Sequence, residues 1–255
     1  MGKLITSLQK GLNVLCCFGF DEETISAREI SKRLNIPLST TYRYLETLEE
    51  RGFLAKDSDI GNYRLGFMIF QMGNISSLQI NLINVAVLHM KSLASLSSET
   101  VLLTIISGWK TLCIESIEAS RRVKLTLERG SSFPLHAGAP SKILLAYQKD
   151  SFIDYFLKNV VLTKYTDNTI TDPTLLRKEL QTIREQGFAF SKEEVDLGVC
   201  AIAAPVFYSK GKIAAGITVA GPAERINNEN KPKLIQMVRD GANRISYDLA
   251  HKEFI

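Results

Sequence analysis

Two helical periodicities meet at Asn35-Ile36-Pro37, and their meeting constrains the first third of the chain more than any other feature. Ser26 stands three residues before Glu29, the spacing of a capping box, so SAREISKRL opens a short helix with Ile30 and Leu34 inward. A residue before proline is pushed out of the helical region, which ends that helix at the Asn-Ile-Pro turn. LSTTYRYLETLEERG then starts another helix, with Ser39 as its expected cap and Thr41, Leu45 and Leu48 repeating on one face; Gly52 closes it. Upstream, Ile5, Leu8, Leu12, Leu15 and Phe18 recur at steps of three or four, the mark of one buried helical face, and the acidic turn GFDEET follows. Downstream, Phe53 to Lys56 and Tyr63 to Leu65 read as short strands around DSDIGN, whose Asp59 and Gly61 suit a hairpin tip. Three helices with a tight turn between the second and third, followed by a hairpin, make a winged helix-turn-helix.

The third helix carries the chemistry. A recognition helix keeps one face apolar for its own domain and offers polar side chains near its N-terminus to base edges and phosphates. With Thr41, Leu45 and Leu48 inward, Ser39, Thr40, Tyr42, Arg43 and Glu46 point outward. Arg43 can bond guanine O6 and N7 or clasp a phosphate, and Ser39, Thr40 and Tyr42 can donate to either. Arg28, Lys32 and Arg33 on the preceding helix are expected at the DNA backbone, and Arg64 with Lys56 on the wing at a flanking phosphate. The alternative is an ordinary solvated amphipathic helix. The charge balance must be read locally. The chain is +4 overall, yet residues 1–74 hold 9 basic and 9 acidic side chains, while residues 26–45 set Arg28, Lys32, Arg33 and Arg43 against Glu29 alone. That distribution predicts weak non-specific affinity and operator binding that depends on dimerisation.

Beyond the hairpin, Phe67 to about Leu96 lacks proline and reads as a long helical connector with Ser76 and Ser77 as its weak point. TVLLTIIS and KTLCIESIE are expected strands around Gly108-Trp109, and RRVKLTLERG a third. Helices are expected at about Ser141 to Gln148, at Asp172 to Gln186 with Leu175, Leu176, Leu180 and Ile183, and from about Glu229 to His251. CAIAAPVFYS and KIAAGITVAG flank Lys210-Gly211 as a hairpin. The class is α+β, with an antiparallel sheet and helices at its ends. The expected division is a winged helix-turn-helix over 1–66, a linker helix over 67–96 and an α+β domain over 97–255.

No apolar run approaches the roughly 18 to 20 residues that span a bilayer, and the start MGKLITSLQKGLNVLCCFGF has polar breaks and no small-residue cleavage site. A cytoplasmic protein with no membrane partner is expected. Cys16, Cys17, Cys113 and Cys200 include no CxxC pair and read as reduced, mostly buried small side chains; a redox role for vicinal Cys16 and Cys17 is the sharper alternative.

SLQKGLNVLCCF, SAREISKRLNIPLSTTYRYLETLEERGFL and NYRLG, in that order, resemble the DNA-binding domain of the IclR family of bacterial transcriptional regulators. FPLHAGAPSKILLAY and GFAFSKEEVDLGVCAIAAPVFYSKGKIAAGITVAGPAERI resemble the second domain of that family, so the resemblance covers nearly the whole chain. It implies a GAF/PAS-like antiparallel-sheet domain that binds a small, often acidic metabolite. It also implies a linker helix that dimerises, and a double-stranded DNA operator bound by a dimer or a dimer of dimers. The expected function is therefore a ligand-responsive regulator, a repressor, whose effector is a small organic acid.

Gly138 and Ala139 precede the helix opened near Ser141, where free backbone N–H groups and the helix dipole favour a carboxylate. The resemblance points to the same loop and adds Ser191, Ala201, Thr218 and Ala220. Pro140, which has no N–H, and the apolar Ala201 and Ala220 depart from the more polar lining of some members. The plainer reading of the loop is helix capping. Enzymatic signatures are weak. His89, His136 and His251 lack metal spacing, GAPSK misses the phosphate-loop frame, and no GxSxG elbow occurs. Glu193 and Glu194 read as a solvated turn rather than paired carboxylates, and nothing places Cys200 beside His136 as nucleophile and base. No catalysis, metal or cofactor is expected. The competing reading is a metabolite-binding or metabolite-processing α+β protein with a helical association module.

Overall fold

The computed structural model describes residues 5–19, 22–57, 61–79, 81–208 and 212–251, together with side chains other than those of 74–79 and 81. The chain divides into two compact units, residues 1–80 and 81–255.

In the first unit, α1 (Thr6–Leu15), α2 (Ala27–Leu34) and α3 (Leu38–Glu50) precede an antiparallel hairpin of β1 (Leu54–Lys56) and β2 (Tyr63–Leu65) and then α4 (Phe67–Gln79). The capping of α2 is as the sequence indicates, with Ser26 Oγ accepting the Glu29 N–H at 3.2 Å. Asn35 ends α2 in the left-handed conformation (φ 50°), which asparagine tolerates, and Ser31 Oγ donates to the Ile36 carbonyl at 2.7 Å to pin the turn. α3 differs from expectation at its start. Pro37, not Ser39, is the N-cap, no side chain caps the helix, and Ser39 lies within its first turn. The core gathers Val14, Ile25, Ile30, Leu45, Leu54 and Tyr63, with Leu48 packed against it.

The apolar stripe follows the sequence reading at Leu15 and Phe18, which pack against this core, and departs from it at its other three positions. Ile5, Leu8 and Leu12 are exposed, Leu8 at 59%, and Val14 is the side chain of α1 that is buried. Periodicity identifies a face but not what covers it. Gly66 joins the wing to α4 by a close approach: a Cβ there would lie 2.2 Å from the Gly52 carbonyl oxygen. Of the expected hairpin tip, Gly61 has φ 72° and Asp59 lies outside the described residues, as do Phe20 and Asp21 of the acidic turn.

The second unit opens with α5 (Asn81–Ser97). The expected connector is thus helical on both sides of residue 80, which is itself outside the described residues; Ser76 and Ser77 fall within α4. The order is then β3 (Thr100–Ser107), β4 (Lys110–Ile117), β5 (Ser132–Pro134), α6 (Ala139–Ala146), α7 (Asp150–Asn159), α8 (Pro173–Gln186), β6 (Ala189–Lys192), β7 (Val199–Phe207), β8 (Ile213–Pro222) and α9 (Lys231–His251). The six strands form one antiparallel sheet in the order β5-β4-β3-β8-β7-β6. α5 and α9 pack together and on the sheet; α6, backed by α8, also lies against the sheet. Two-residue alternation assigns the faces. Leu102, Thr218 and Ala203 are register partners, as are Ala220 and Ala201, so these five side chains share one face.

The strand expected over RRVKLTLERG is absent. Residues 121–130 form no ladder, and the short β5 pairs with β4 instead. The Leu125 carbonyl accepts from Thr100 Oγ1 at 2.7 Å, so its backbone is satisfied by a side chain rather than by a neighbouring strand. α7 and β6 were not anticipated. Leu175 of α8 is exposed, while Leu176, Leu180 and Ile183 are buried. The cysteines divide evenly: Cys113 and Cys200 are buried, Cys16 is exposed and Cys17 intermediate. The expected hairpin tip Lys210-Gly211 lies outside the described residues.

Candidate functional site

Two surfaces carry candidate chemistry, one in each unit. On the first, the 3.6-residue period of α3 turns Thr41 and Leu45 fully inward, and Thr41 Oγ1 satisfies itself on the Pro37 carbonyl at 3.1 Å. The opposite face presents Ser39, Tyr42, Arg43 and Glu46 to solvent, with Thr40 half-buried. Arg28 and Lys32 on α2 and Arg64 on the wing are exposed too. None of the cations Arg28, Lys32, Arg43 and Arg64 forms a side-chain hydrogen bond or ion pair among the described residues.

Arg33, grouped with them from the sequence, is already committed. Its Nη1 and Nη2 grip both Glu22 oxygens at 2.7 and 2.8 Å, and its Nε donates to Glu29 Oε1 at 3.0 Å. The same bonds hold the Glu22 carboxyl below its ordinary range. A guanidinium whose donors are turned onto two carboxylates is not available to a phosphate. The local charge excess therefore rests on Arg28, Lys32 and Arg43, while the wing contributes Arg64 and Lys56, whose Nζ lies 5.7 Å from the Tyr63 ring centre.

On the second surface, a cavity of about 560 Å³, including its open mouth, lies on the Leu102 face of the sheet. Leu102, Ala201 and Ala220 form its floor, and Leu125, Leu127, Phe133, Val195 and Val199 its apolar walls. The alternating leucines of residues 121–130 thus serve as cavity wall, not as strand. Polar atoms come from Gly138, Ser191, Glu194 and Asp196; among the described residues no Lys, Arg or His lines the cavity. Ser191 and Glu194 are buried, whereas Asp196 is exposed at the rim.

Of the seven residues singled out from sequence, Gly138, Pro140, Ser191, Ala201 and Ala220 line this cavity. Ala139 is buried beside it. Thr218 is buried on the same sheet face without lining the cavity, and its hydroxyl has no hydrogen-bond partner among the described residues.

The start of α6 differs from expectation in one decisive respect: its N–H groups are spent. Gly138 donates to Glu194 Oε2 and Ala139 to Ser191 Oγ, both at 2.9 Å. Pro140 has none, and Ser141 and Lys142 both donate to the Gly138 carbonyl. Glu194, read from sequence as part of a solvated turn, is 8% exposed and fills the place where an external anion was expected. Its Oε1 meets Lys142 Nζ at 2.7 Å; Lys142, 1% exposed, also pairs with Glu179 Oε1 at 2.7 Å and is the one charged residue of α6. A second anion brought within about 4 Å of Glu194 would meet a pairwise repulsion on the order of 4 kcal/mol at an effective dielectric of about 20, offset in part by the Lys142 ammonium.

The backbone beneath Glu194 is fastened as well. Thr169 Oγ1 donates to the Glu194 carbonyl at 2.6 Å, and Thr166 Oγ1 to that of Glu193. Glu193 itself takes the turn, with φ 54° and its Oε1 accepting the Gly198 N–H. Sequence reasoning missed Lys142 and Glu194, although a lone lysine within SKILLAY was a signal that a buried partner must exist.

The other groups weighed from sequence have local partners. His136 Nε2 lies 2.9 Å from the Thr163 carbonyl, His89 pairs with Asp248, and His251 Nδ1 meets the Tyr247 carbonyl. Cys200, one residue from Ala201 on β7, faces the opposite side of the sheet from the cavity. Among the described residues no cluster of three His, Cys, Asp or Glu could hold a metal, and no helix is long and apolar enough to cross a membrane.

Comparison with known proteins covers both units. The profile of the IclR helix-turn-helix domain matches residues 7–58, and that of the bacterial transcriptional regulator IclR C-terminal domain matches residues 75–247. The HTH-type transcriptional repressor AllR of Salmonella typhimurium is 31% identical over 246 residues, 96% of this chain and 90% of that one. Among solved structures, an IclR-type regulator from Silicibacter superposes with a TM-score of 0.88 at 23% identity, covering 96% of this chain and 97% of the other. An IclR homologue from Microbacterium hydrocarbonoxydans, complexed with 4-hydroxybenzoate, gives 0.83 at 25% identity, covering 95% and 98%.

Proposed function

The chain belongs to the IclR family of bacterial transcriptional regulators, and on that footing we propose that it is a cytoplasmic repressor whose operator affinity is set by a small molecule in the Leu102–Ala220 cavity. The observation that carries the DNA half is the division of α3 into a buried Thr41–Leu45 face and an exposed Ser39–Tyr42–Arg43 face with unpaired cations around it. Arg43 and Tyr42 read bases or clasp phosphates in the major groove; Ser39, Thr40 and Arg28 position the helix; Arg64 reaches a flanking phosphate.

The working division is 1–66 for DNA, 67–96 as linker and 97–255 for the effector. Two copies associate, so that two third helices enter successive major grooves. The exposed Ile5 just before α1, Leu8 and Leu12 on it, and the exposed Leu88 and Leu96 of α5 support association, since such apolar surface is costly to leave in water. The effector is a small organic acid with an apolar body, the chemical class of the 4-hydroxybenzoate bound by the Microbacterium homologue. Binding shifts a pre-existing equilibrium between operator-competent and incompetent arrangements. The reading needs no catalysis.

Fluorescence anisotropy on an operator fragment, with and without a panel of small aromatic and aliphatic acids, tests it. At least one acid should release the operator from the wild-type chain and not from Ala220→Phe, in which the cavity floor is filled. Release that is unchanged in Ala220→Phe would place the effector elsewhere.

A further inference from the structure

The cavity has walls that suit an apolar body, yet its buried polar end is unlike a carboxylate receptor. The two N–H groups there are consumed by Glu194 and Ser191. The cation that pairs with Glu194, Lys142, is shared by two carboxylates of the chain. What the buried end offers a ligand is the acceptor capacity of Glu194 and the Ser191 hydroxyl, which has accepted the Ala139 N–H and keeps its own O–H.

We propose that Glu194 is the specificity-determining residue of the effector cavity: it holds the anion seat at the start of α6, so the buried end selects a neutral hydrogen-bond donor on the ligand. This rests on the assignment of the cavity as the effector site. An acid that binds here enters with a hydroxyl, amide or amine N–H toward Glu194 and leaves its carboxylate at the mouth, in water. A ligand whose sole polar group is a carboxylate meets one donor inside, the Ser191 O–H, and must approach an existing negative charge to reach it.

Three features keep Glu194 in this role rather than letting an incoming anion displace it. Its carboxylate is held at both oxygens, by Gly138 and by Lys142. Its own carbonyl is held by Thr169, and the neighbouring carbonyl of Glu193 by Thr166. Asp196 adds a further carboxylate at the rim, so among the described residues the lining carries two acids and no base. A buried carboxylate fixed by one bond at each oxygen keeps further lone pairs and is a preorganised acceptor, and preorganisation favours the ligand that supplies another donor.

The test uses benzoate and 4-hydroxybenzoate, which differ by one hydroxyl, titrated calorimetrically into the full wild-type chain and into Glu194→Ala. The wild type should bind 4-hydroxybenzoate at least tenfold more tightly than benzoate. Glu194→Ala frees the Gly138 N–H and one face of Lys142, so its affinity for benzoate should rise at least tenfold above wild type and the preference for the hydroxylated acid should vanish. Benzoate affinity that is no higher in Glu194→Ala than in the wild type, including no binding to either, overturns the proposal. Should Glu194→Ala not fold, Glu194→Gln retains an acceptor for Gly138 while removing the charge, and benzoate affinity must still rise; an unchanged value is equally fatal. Operator release blocked by Ala220→Phe alongside a failed benzoate test would leave the effector site standing and remove only the selectivity of Glu194.

Discussion

Glu194 and Lys142 meet in a 2.7 Å ion pair across 52 residues of chain, joining the turn after β6 to the buried face of α6. Lys142 is nearly inaccessible, and its second partner, Glu179, is about one-third exposed. Removing the ammonium leaves Glu194 buried with one remaining donor, Gly138. Breaking a buried pair by deleting one partner costs about 3 kcal/mol or more. Lys142→Met should therefore lower the unfolding free energy by about that amount in urea denaturation followed by circular dichroism; a loss below about 1 kcal/mol would show that the pair is dispensable.

Arg43 and Arg33 are both exposed arginines near the α2–α3 turn, and they should behave differently. Arg43→Ala should weaken specific DNA binding by roughly 1 to 3 kcal/mol if the side chain reads a base, or uniformly across sequences with a shallower salt dependence if it touches phosphate. Arg33→Ala should leave the slope of log K against log salt unchanged, because Glu22 and Glu29 already neutralise that charge. Equal slopes lost by both variants would contradict the assignment of Arg33 as an internal clamp.

The cysteines should separate by reactivity. With a thiol reagent at pH 8, Cys16 should label in the native protein, Cys17 more slowly because burial pushes its thiol upward, and Cys113 and Cys200 on unfolding. Burial pushes Cys113 from 9.0 up to about 11. Its folded value is raised, so the unfolded chain releases this proton first. The neutral thiol's contribution is whole below pH 9 and is lost as pH rises toward about 11. Cys113→Ser should flatten that alkaline decline, and an unaltered decline would assign it to other groups.

Gly66 should tolerate no side chain. Because a Cβ would meet the Gly52 carbonyl oxygen at 2.2 Å, backbone against backbone, Gly66→Ala must shift the wing away from the end of α3. A cost of about 2 kcal/mol is expected for the first unit, within the range for overpacking, with loss of operator affinity at Arg64. Wild-type melting and binding would show that the wing accommodates a side chain at this position.

How far the sequence reached can be judged residue by residue. The α3 face was legible because a single period governs Thr41, Leu45 and Leu48 and the turn at Asn35-Ile36-Pro37 fixes where that period starts. The α1 stripe was equally periodic, yet Ile5, Leu8 and Leu12 face outward, since amphipathicity reports a face that wants cover without naming the cover. Leu125 and Leu127 alternate as strand residues do, but their destination is a cavity wall, a distinction local pattern does not hold. Glu194 was misread for a different reason: two charged residues in a row resemble a solvated turn, and its partners lie 52 and 56 residues away. α7 did carry a signal, with Phe152, Ile153 and Phe156 at helical spacing behind Asp150.

The central claim is sequence-specific, ligand-controlled DNA binding, and selection of bound duplexes from a random pool by the full chain tests it most directly. One enriched, two-fold-symmetric sequence is expected, with half-sites about one helical turn apart. That duplex should bind at least about a thousandfold more tightly than a scrambled one at physiological salt, and an acid that fills the cavity should release it. A pool that enriches no sequence, or a selected duplex bound no better than its scramble, would contradict the account.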